Sequence, residues 1–594
     1  MNRNILFLIT ILGSLLISCS KDDDAGDIQT PVARLQSIGK VYLKLTLKQT
    51  SSGRTTTTRA NDDYDHGTTE EYAIHDAVVV FFSRNTETEN EGQSHFLHAV
   101  RLTDSDDSSI PVNNQITQDK TYLVPINTAR WWVPTGHNRL EAYIIANTQD
   151  LVTAGNEGNL QVKGNIYGPD DINFKTLTEI TMNNIGTLTT GILMTSAPIA
   201  DRAGGTDKPT GVKISTLRPV DIKKLYITPT DAKDNPALEV YLERAAAKVE
   251  VKTAAGIKST TDDGVPFTPS GIRWDVENVN TTYYLGRQIA SIDHTLGSSL
   301  APAASKYRFI ASEQLQTADA HYRTYWAEDI NYDNGTGLVC HYNSTMQVPM
   351  PNDLSTAEYI VENTVDASHM TQDLTTGLVL TVPFNDGNDF YVLSLTGTGT
   401  IYENEDKLKD KIRELVEVQP AMDTWRKADV SHASTVVKVD LLYADGVNKL
   451  NNGSIIQPGK VSIRLSATDM DVSLASILAL EIENLTDITY YKNGLSYYKV
   501  MIKHFGDHET PLPSNVDHNS KYETLYGNPA NTDNFLGRFG VVRDTWYIIE
   551  IQGVKHLGSA TIPTFTPTPD DNSEYLKIEI VILPWMMHTQ NLDF

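Results

Sequence analysis

Two segments at opposite ends of the chain alternate strictly between apolar and polar residues. In Val41-Tyr42-Leu43-Lys44-Leu45-Thr46-Leu47-Lys48, the residues Val41, Leu43, Leu45 and Leu47 share one face of an extended strand. In Tyr575-Leu576-Lys577-Ile578-Glu579-Ile580-Val581-Ile582, the residues Leu576, Ile578, Ile580 and Ile582 do the same. Between them lie short apolar runs bounded by Gly, Asn and Asp. Ala77–Phe82, Leu140–Ala146, Leu238–Leu242, Ala247–Val251 and Phe390–Leu395 read as strands. So do Val436–Leu442, Val461–Leu465, Tyr497–Ile502 and Trp546–Ile551. Many short strands between turn clusters predict β-sandwiches. Helical signals are few. Glu405–Val418 places Leu408, Ile412 and Leu415 on one stripe, and Ser473–Leu485 is a weaker candidate.

Polar segments punctuate this pattern. Thr50–His66 has no apolar period, Thr253–Pro269 separates two strand-rich halves, and Pro563–Ser573 precedes the last strand. These divisions predict five parts: 1–18, 19–59, 60–256, 257–566 and 567–594. They read as a signal peptide, a lipidated propeptide carrying the first strand, an N-terminal sandwich, a C-terminal sandwich and a C-terminal tail. No internal repeat is visible.

The N-terminus reads as an export signal. Arg3 precedes an apolar core, Ile5–Ile17, too short to span a bilayer. It ends in Leu16-Ile17-Ser18-Cys19, which resembles a bacterial lipobox with Cys19 as the acylated residue. The acidic run Asp22-Asp23-Asp24 resembles the surface-export signal of Bacteroidota lipoproteins, although a solvated charge run looks the same. The other cysteine is Cys340, a candidate small core residue. With lipid on Cys19 no intrachain disulfide forms, and stability rests on core burial.

The net charge is −26. Residues 1–59 hold eight Lys or Arg and four Asp, so a chain beginning at Ala60 carries −30. That surface argues against nucleic acid and anionic lipid as partners.

The matched ends have a physical consequence. Either strand offers four aliphatic side chains at the same spacing, and each is flanked by a polar segment. Either therefore fits one row of pockets along an open sheet edge, with backbone pairing for affinity and alternate side chains for register. Four buried aliphatics at ~2 kcal/mol each supply ~8 kcal/mol before ordering costs. Exchange needs a release step, and Arg59-Ala60 lies in the exposed linker just after the first strand, open to an Arg-specific protease. Arg54 is a second candidate and Arg34 a poorer one.

At these residues the chain resembles the major subunits of Bacteroidota type V pili, specifically the short-fimbria stalk fimbrillins. The resemblance is carried by Leu583-Pro584-Trp585, the ending Asn591-Leu592-Asp593-Phe594, and Val541-Val542-Arg543-Asp544-Thr545-Trp546-Tyr547 followed by Leu557-Gly558. It is carried also by Leu242–Val249, Gly271-Ile272-Arg273-Trp274, Tyr283-Tyr284-Leu285 and Arg59-Ala60. The resemblance implies an all-β fold of two transthyretin-like β-sandwich domains, a few short helices and a C-terminal donor-strand tail. It implies export as a lipoprotein, cleavage after Arg59 by an Arg-specific surface protease, and polymerisation through Leu576–Ile582. The implied partners are other copies of the chain, fimbrial anchor and tip proteins, and the outer membrane through a transient lipid on Cys19. Adhesion and biofilm formation at the outer-membrane surface are the implied roles.

No catalytic constellation converges in the sequence, so an enzyme is the weakest class, and neither metal nor cofactor is expected. His504-Phe505-Gly506-Asp507-His508 has metal-like spacing, but Gly506 weakens the helix it needs. Asn385–Asp389 lacks the length and closing Glu of a calcium loop and reads as a turn. Gly397-Thr398-Gly399 lacks a third Gly and a following helix. Trp131-Trp132 fits sugar stacking or core packing, though both rings cannot point inward from a regular strand. The competing reading is a tip adhesin or a lipid-anchored surface glycan-binding protein.

Overall fold

The computed structural model describes residues 31–49, 68–102, 120–155, 157–202, 212–233, 236–289, 309–315, 321–332, 338–339, 341–342, 349–366, 369–395, 398–443, 458–504, 536–568 and 576–584. Mostly strands with a few short helices, these residues form an all-β fold.

Eight strands build the leading sheet, seven of them in one continuous row: β1 (Lys40–Gln49), β2 (Ala77–Arg84), β3 (His95–Leu102), β4 (Lys120–Asn127), β5 (Arg139–Ala146), β6 (Met194–Ser196) and β7 (Pro236–Arg244). Their order is β3-β2-β5-β6-β7-β1-β4, and Arg218–Pro219 pairs with β5 beyond β6. The unbroken apolar run of β2 has a simple cause. Ala77, Val79 and Phe81 enter one core while Val78, Val80 and Phe82 enter another on the opposite face. A strand buried on both sides has no reason to alternate.

The chain changes sheets at Ala245. β8 (Ala246–Thr253), which the sequence grouped with residues 60–256, pairs instead with β9 (Ala357–Val361) and β10 (Thr545–Val554) of the following sheet. The change thus falls ahead of the polar segment Thr253–Pro269. Small residues permit the direct passage: Ala245, Ala246 and Ala247 are fully buried, and Ala245 N–H donates to Leu193 O at 2.8 Å. The second sheet runs β9-β8-β10-β11, with β11 spanning Leu576–Pro584. It faces the three-stranded sheet of Arg273–Glu277, Gly377–Pro383 and Leu495–Met501 across a core holding Val249, Trp274, Leu380, Val500 and Ile549. That is a sandwich.

A further core holds the helices Glu405–Glu417, Pro420–Ala428 and Val472–Leu485 against the strands Phe390–Leu395 and Thr486–Tyr491. Asn404 caps the first helix by accepting from Lys407 N–H at 3.0 Å, and Glu405 and Asp406 suit its N-terminal dipole. Its buried stripe is Leu408, Ile412 and Val416, with Leu415 only partly buried.

Charged side chains are buried where the halves meet. Arg244 pairs with Asp544 at 3.0 Å, Arg287 with Glu243 at 2.7 Å, and Arg543 with Glu362. Burial pushes the Glu243 carboxyl up, to about 7, and Arg287 and Arg543 pull it back. The Val541–Tyr547 motif therefore occupies the junction, where breaking one buried pair strands its partner.

Candidate strand-acceptor site

β1 is an interior strand. It runs parallel to β7, with Leu45 opposite Leu238 and Leu47 opposite Val240. It runs antiparallel to β4, with Val41 opposite Ile126, Leu43 opposite Val124 and Leu45 opposite Tyr122. The sequence expectation of an open sheet edge is corrected here: both rims of β1 are occupied. Where β7 does not reach, Tyr226 continues the rim. Tyr42 N–H donates to Tyr226 O at 2.7 Å, and Tyr226 N–H returns to Tyr42 O at 3.0 Å.

Alternation in the sequence becomes a division between inside and outside. Val41, Leu43, Leu45 and Leu47 are at most 1% exposed, in a core shared with Phe81, Tyr122, Val124, Ile126, Leu238 and Val240. Tyr42, Lys44 and Thr46 are half-buried on the other face. The four inward side chains contribute ~8 kcal/mol at ~2 kcal/mol each. Ahead of β1, the helical turn Pro31–Leu35 adds Val32 and Leu35 to the same core. Arg34 lies exposed in that turn, on the near side of β1.

β4 is the outer wall and, among the described residues, an edge strand. Its alternating Tyr122, Val124 and Ile126 are buried, but Pro125 interrupts the run and disguises it in the sequence. Proline in a strand is tolerated at an edge, where a missing N–H breaks no second ladder. A strand withdrawn from between β7 and β4 would leave two unpaired rims and an apolar floor.

Among the described residues, β11 has one neighbour. It pairs antiparallel with β10, with Leu576 opposite Val554, Ile578 opposite Ile551, Ile580 opposite Ile549 and Ile582 opposite Tyr547. The structure thus brings the two end strands to different sheets. Cys19, Arg59, Ala60 and Cys340 lie outside the described residues.

The other sequence candidates fall into place individually. His504 is buried, with Nδ1 at 2.7 Å from the Tyr547 hydroxyl, while His508 lies outside the described residues. Asn385–Gly387 is a single turn between strands. Gly399 lies within the strand Thr398–Tyr402. Trp131 is buried against Phe81 and Trp132 is exposed. Among the described residues, no helix is long and apolar enough to cross a membrane.

Among solved structures, the chain is similar to a fimbrilin of Porphyromonas gingivalis W83 at 10% identity, covering 92% of this chain and 99% of that one, with a TM-score of 0.31. The tip fimbrial protein Mfa3 of Porphyromonas gingivalis is 10% identical over 91% of this chain and 99% of that one, with a TM-score of 0.27. A fimbrial assembly protein of Parabacteroides distasonis is 11% identical over 61% of this chain and 85% of that one, with a TM-score of 0.25. These overlaps are too loose to carry a functional argument. No protein of curated function matches the chain. Residues 522–591, which take in β10 and β11, match the family described as major fimbrial subunit protein type IV, fimbrillin, C-terminal, and the C-terminal segment of this chain is thereby similar to that of the major fimbrial subunits.

Proposed function

We propose that this chain is a structural subunit of a surface fimbria, a stalk subunit that polymerises by strand exchange. It is exported as a lipoprotein through Cys19 and cut after Arg59. β1 then leaves, and the tail Leu576–Ile582 of a neighbouring copy takes its place between β7 and β4. The observation that carries this reading is the position of β1. It is the first described strand, it fills a two-rimmed slot, and its inward pattern is repeated by the strand that ends the fimbrillin-like segment.

An interior position makes release more demanding than at an edge, because two ladders must open. It also supplies a driving force for exchange. On its own β10 the tail satisfies one side of its backbone, whereas the slot satisfies both. Lys577, Glu579 and Val581 then take the half-buried face now held by Tyr42, Lys44 and Thr46. Cleavage in the polar linker removes the covalent tether that keeps β1 at high local concentration. Filament anchor and tip proteins are the further partners of this reading, and adhesion and biofilm support its roles. The part 60–256 holds the slot and the part 567–594 the donor. The alternative of a glycan-binding surface protein or tip adhesin has Trp132 as its exposed aromatic.

Mass spectrometry of the surface-exposed protein tests the reading. A mature N-terminus at Ala60 is expected. A retained acylated Cys19 on the assembled protein would overturn it in favour of an anchored binder.

A further inference from the structure

One end of the leading sheet gathers three side chains that the strand-exchange reading does not use. Glu89 lies in the turn after β2, His95 opens β3, and His137 lies in the connection from β4 to β5. Oε1 of Glu89 is 3.3 Å from His137 Nε2 and 3.9 Å from His95 Nε2. All three donor atoms lie within 4.8 Å of one another.

The outer partners fix each group. His137 Nδ1 is 2.9 Å from the hydroxyl of the fully buried Ser83, and His95 Nδ1 pairs with the Asp170 carboxylate. The second oxygen of Glu89 accepts from Asn85 N–H at 3.0 Å. The two rings meet edge to face, with centroids 5.0 Å apart.

The Asp170 carboxylate is an acceptor, so His95 donates to it through Nδ1, and Nε2 is the nitrogen turned toward Glu89. A ligating histidine whose other nitrogen donates to a carboxylate is the usual outer arrangement of a zinc ligand. Tetrahedral zinc with bonds of about 2.0–2.1 Å places its donor atoms about 3.3 Å apart. The Glu89–His137 separation already has that value, and the Glu89–His95 separation of 3.9 Å needs to close by about 0.6 Å.

We propose that Glu89 Oε1, His95 Nε2 and His137 Nε2 form a binding site for a zinc-class divalent ion, with its fourth position open to solvent. Imidazole and carboxylate donors suit Zn2+ and disfavour Mg2+ and Ca2+, which take oxygen ligands. The ion ties the turn after β2, the start of β3 and the β4–β5 connection into one unit at the end of the sheet. The site draws on no residue of β1 or of the donor tail, so it stands or falls independently of the polymer.

The test uses the full chain, stripped with chelator, dialysed and titrated with ZnCl2 by calorimetry, with bound zinc counted by mass spectrometry. His95→Ala and Glu89→Gln are expected to lose one zinc equivalent relative to the unaltered chain while keeping its circular dichroism. Both side chains are partly exposed, so these variants avoid the folding risk of the buried His137. Asp170→Asn is expected to retain the equivalent with affinity weakened about 10–100-fold. Equal zinc stoichiometry and affinity in the unaltered chain, His95→Ala and Glu89→Gln would overturn the site. So would calcium competing with zinc at comparable concentration.

Discussion

Leu45→Ala in β1 separates the precursor from the filament. Leu45 is fully buried, faces Tyr122 and Leu238 across its two rims, and has Leu43 and Leu47 as neighbours on its own face. Truncating a leucine in such a place removes its transfer free energy and leaves a cavity, at a cost of about 3–4 kcal/mol. For a domain of this size each kcal/mol lowers the melting temperature by about 2–4 °C, so the uncleaved precursor should melt about 10 °C lower. If β1 departs on maturation, the same substitution is absent from the filament core. Filaments assembled from the Leu45→Ala chain should then dissociate at the temperature of unaltered ones. Val240→Ala, in the wall opposite, serves as the control and should weaken precursor and filament alike by about 2 kcal/mol. The assay is calorimetric melting of the precursor beside heat dissociation of filaments on denaturing gels. Equal weakening of filament and precursor by Leu45→Ala would refute the exchange, because β1 would still be in its slot.

Three further outcomes are expected. Deleting residues 575–594 should leave a folded monomer that forms no polymer ladder, since among the described residues β11 is an edge strand with no further strand beyond it. Arg59→Ala should allow export but block assembly, read as unprocessed chain on the cell surface without filaments. His98 should make the protein acid-sensitive. Burial lowers its pKa from 6.5 to about 4, so the unfolded chain takes up the proton first as pH falls. The stabilisation is complete above pH 6.5 and is lost between 6.5 and about 4, a loss of about 3 kcal/mol. His98→Asn should flatten that part of the stability–pH curve, measured by denaturant unfolding at several pH values.

The strands were legible because their side chains carry the signal. β1, β2, β5, β7, β10 and the helix Val472–Leu485 all lie where apolar periodicity predicts them. What periodicity does not encode is the number of neighbours. Strict alternation states that one face of β1 is buried, which holds equally at an edge and in the interior, so the second rim stayed invisible. β4 escaped notice because Pro125 breaks the apolar count, although Tyr122, Val124 and Ile126 keep the period. The crossing at Ala245 carries no turn signal, because a buried passage between sheets uses small apolar residues instead of Gly, Pro or Asp. Glu89, His95 and His137 come from three separate connections and share no motif spacing, so only the folded sheet brings them together.

The account depends on what fills the space between β7 and β4 once subunits have assembled, and a filament map at side-chain resolution answers that directly. The expected map has a strand there that traces to residues 576–582 of the adjacent copy, with no chain for residues 41–47. Finding Val41, Leu43, Leu45 and Leu47 still seated in an assembled filament would contradict the account.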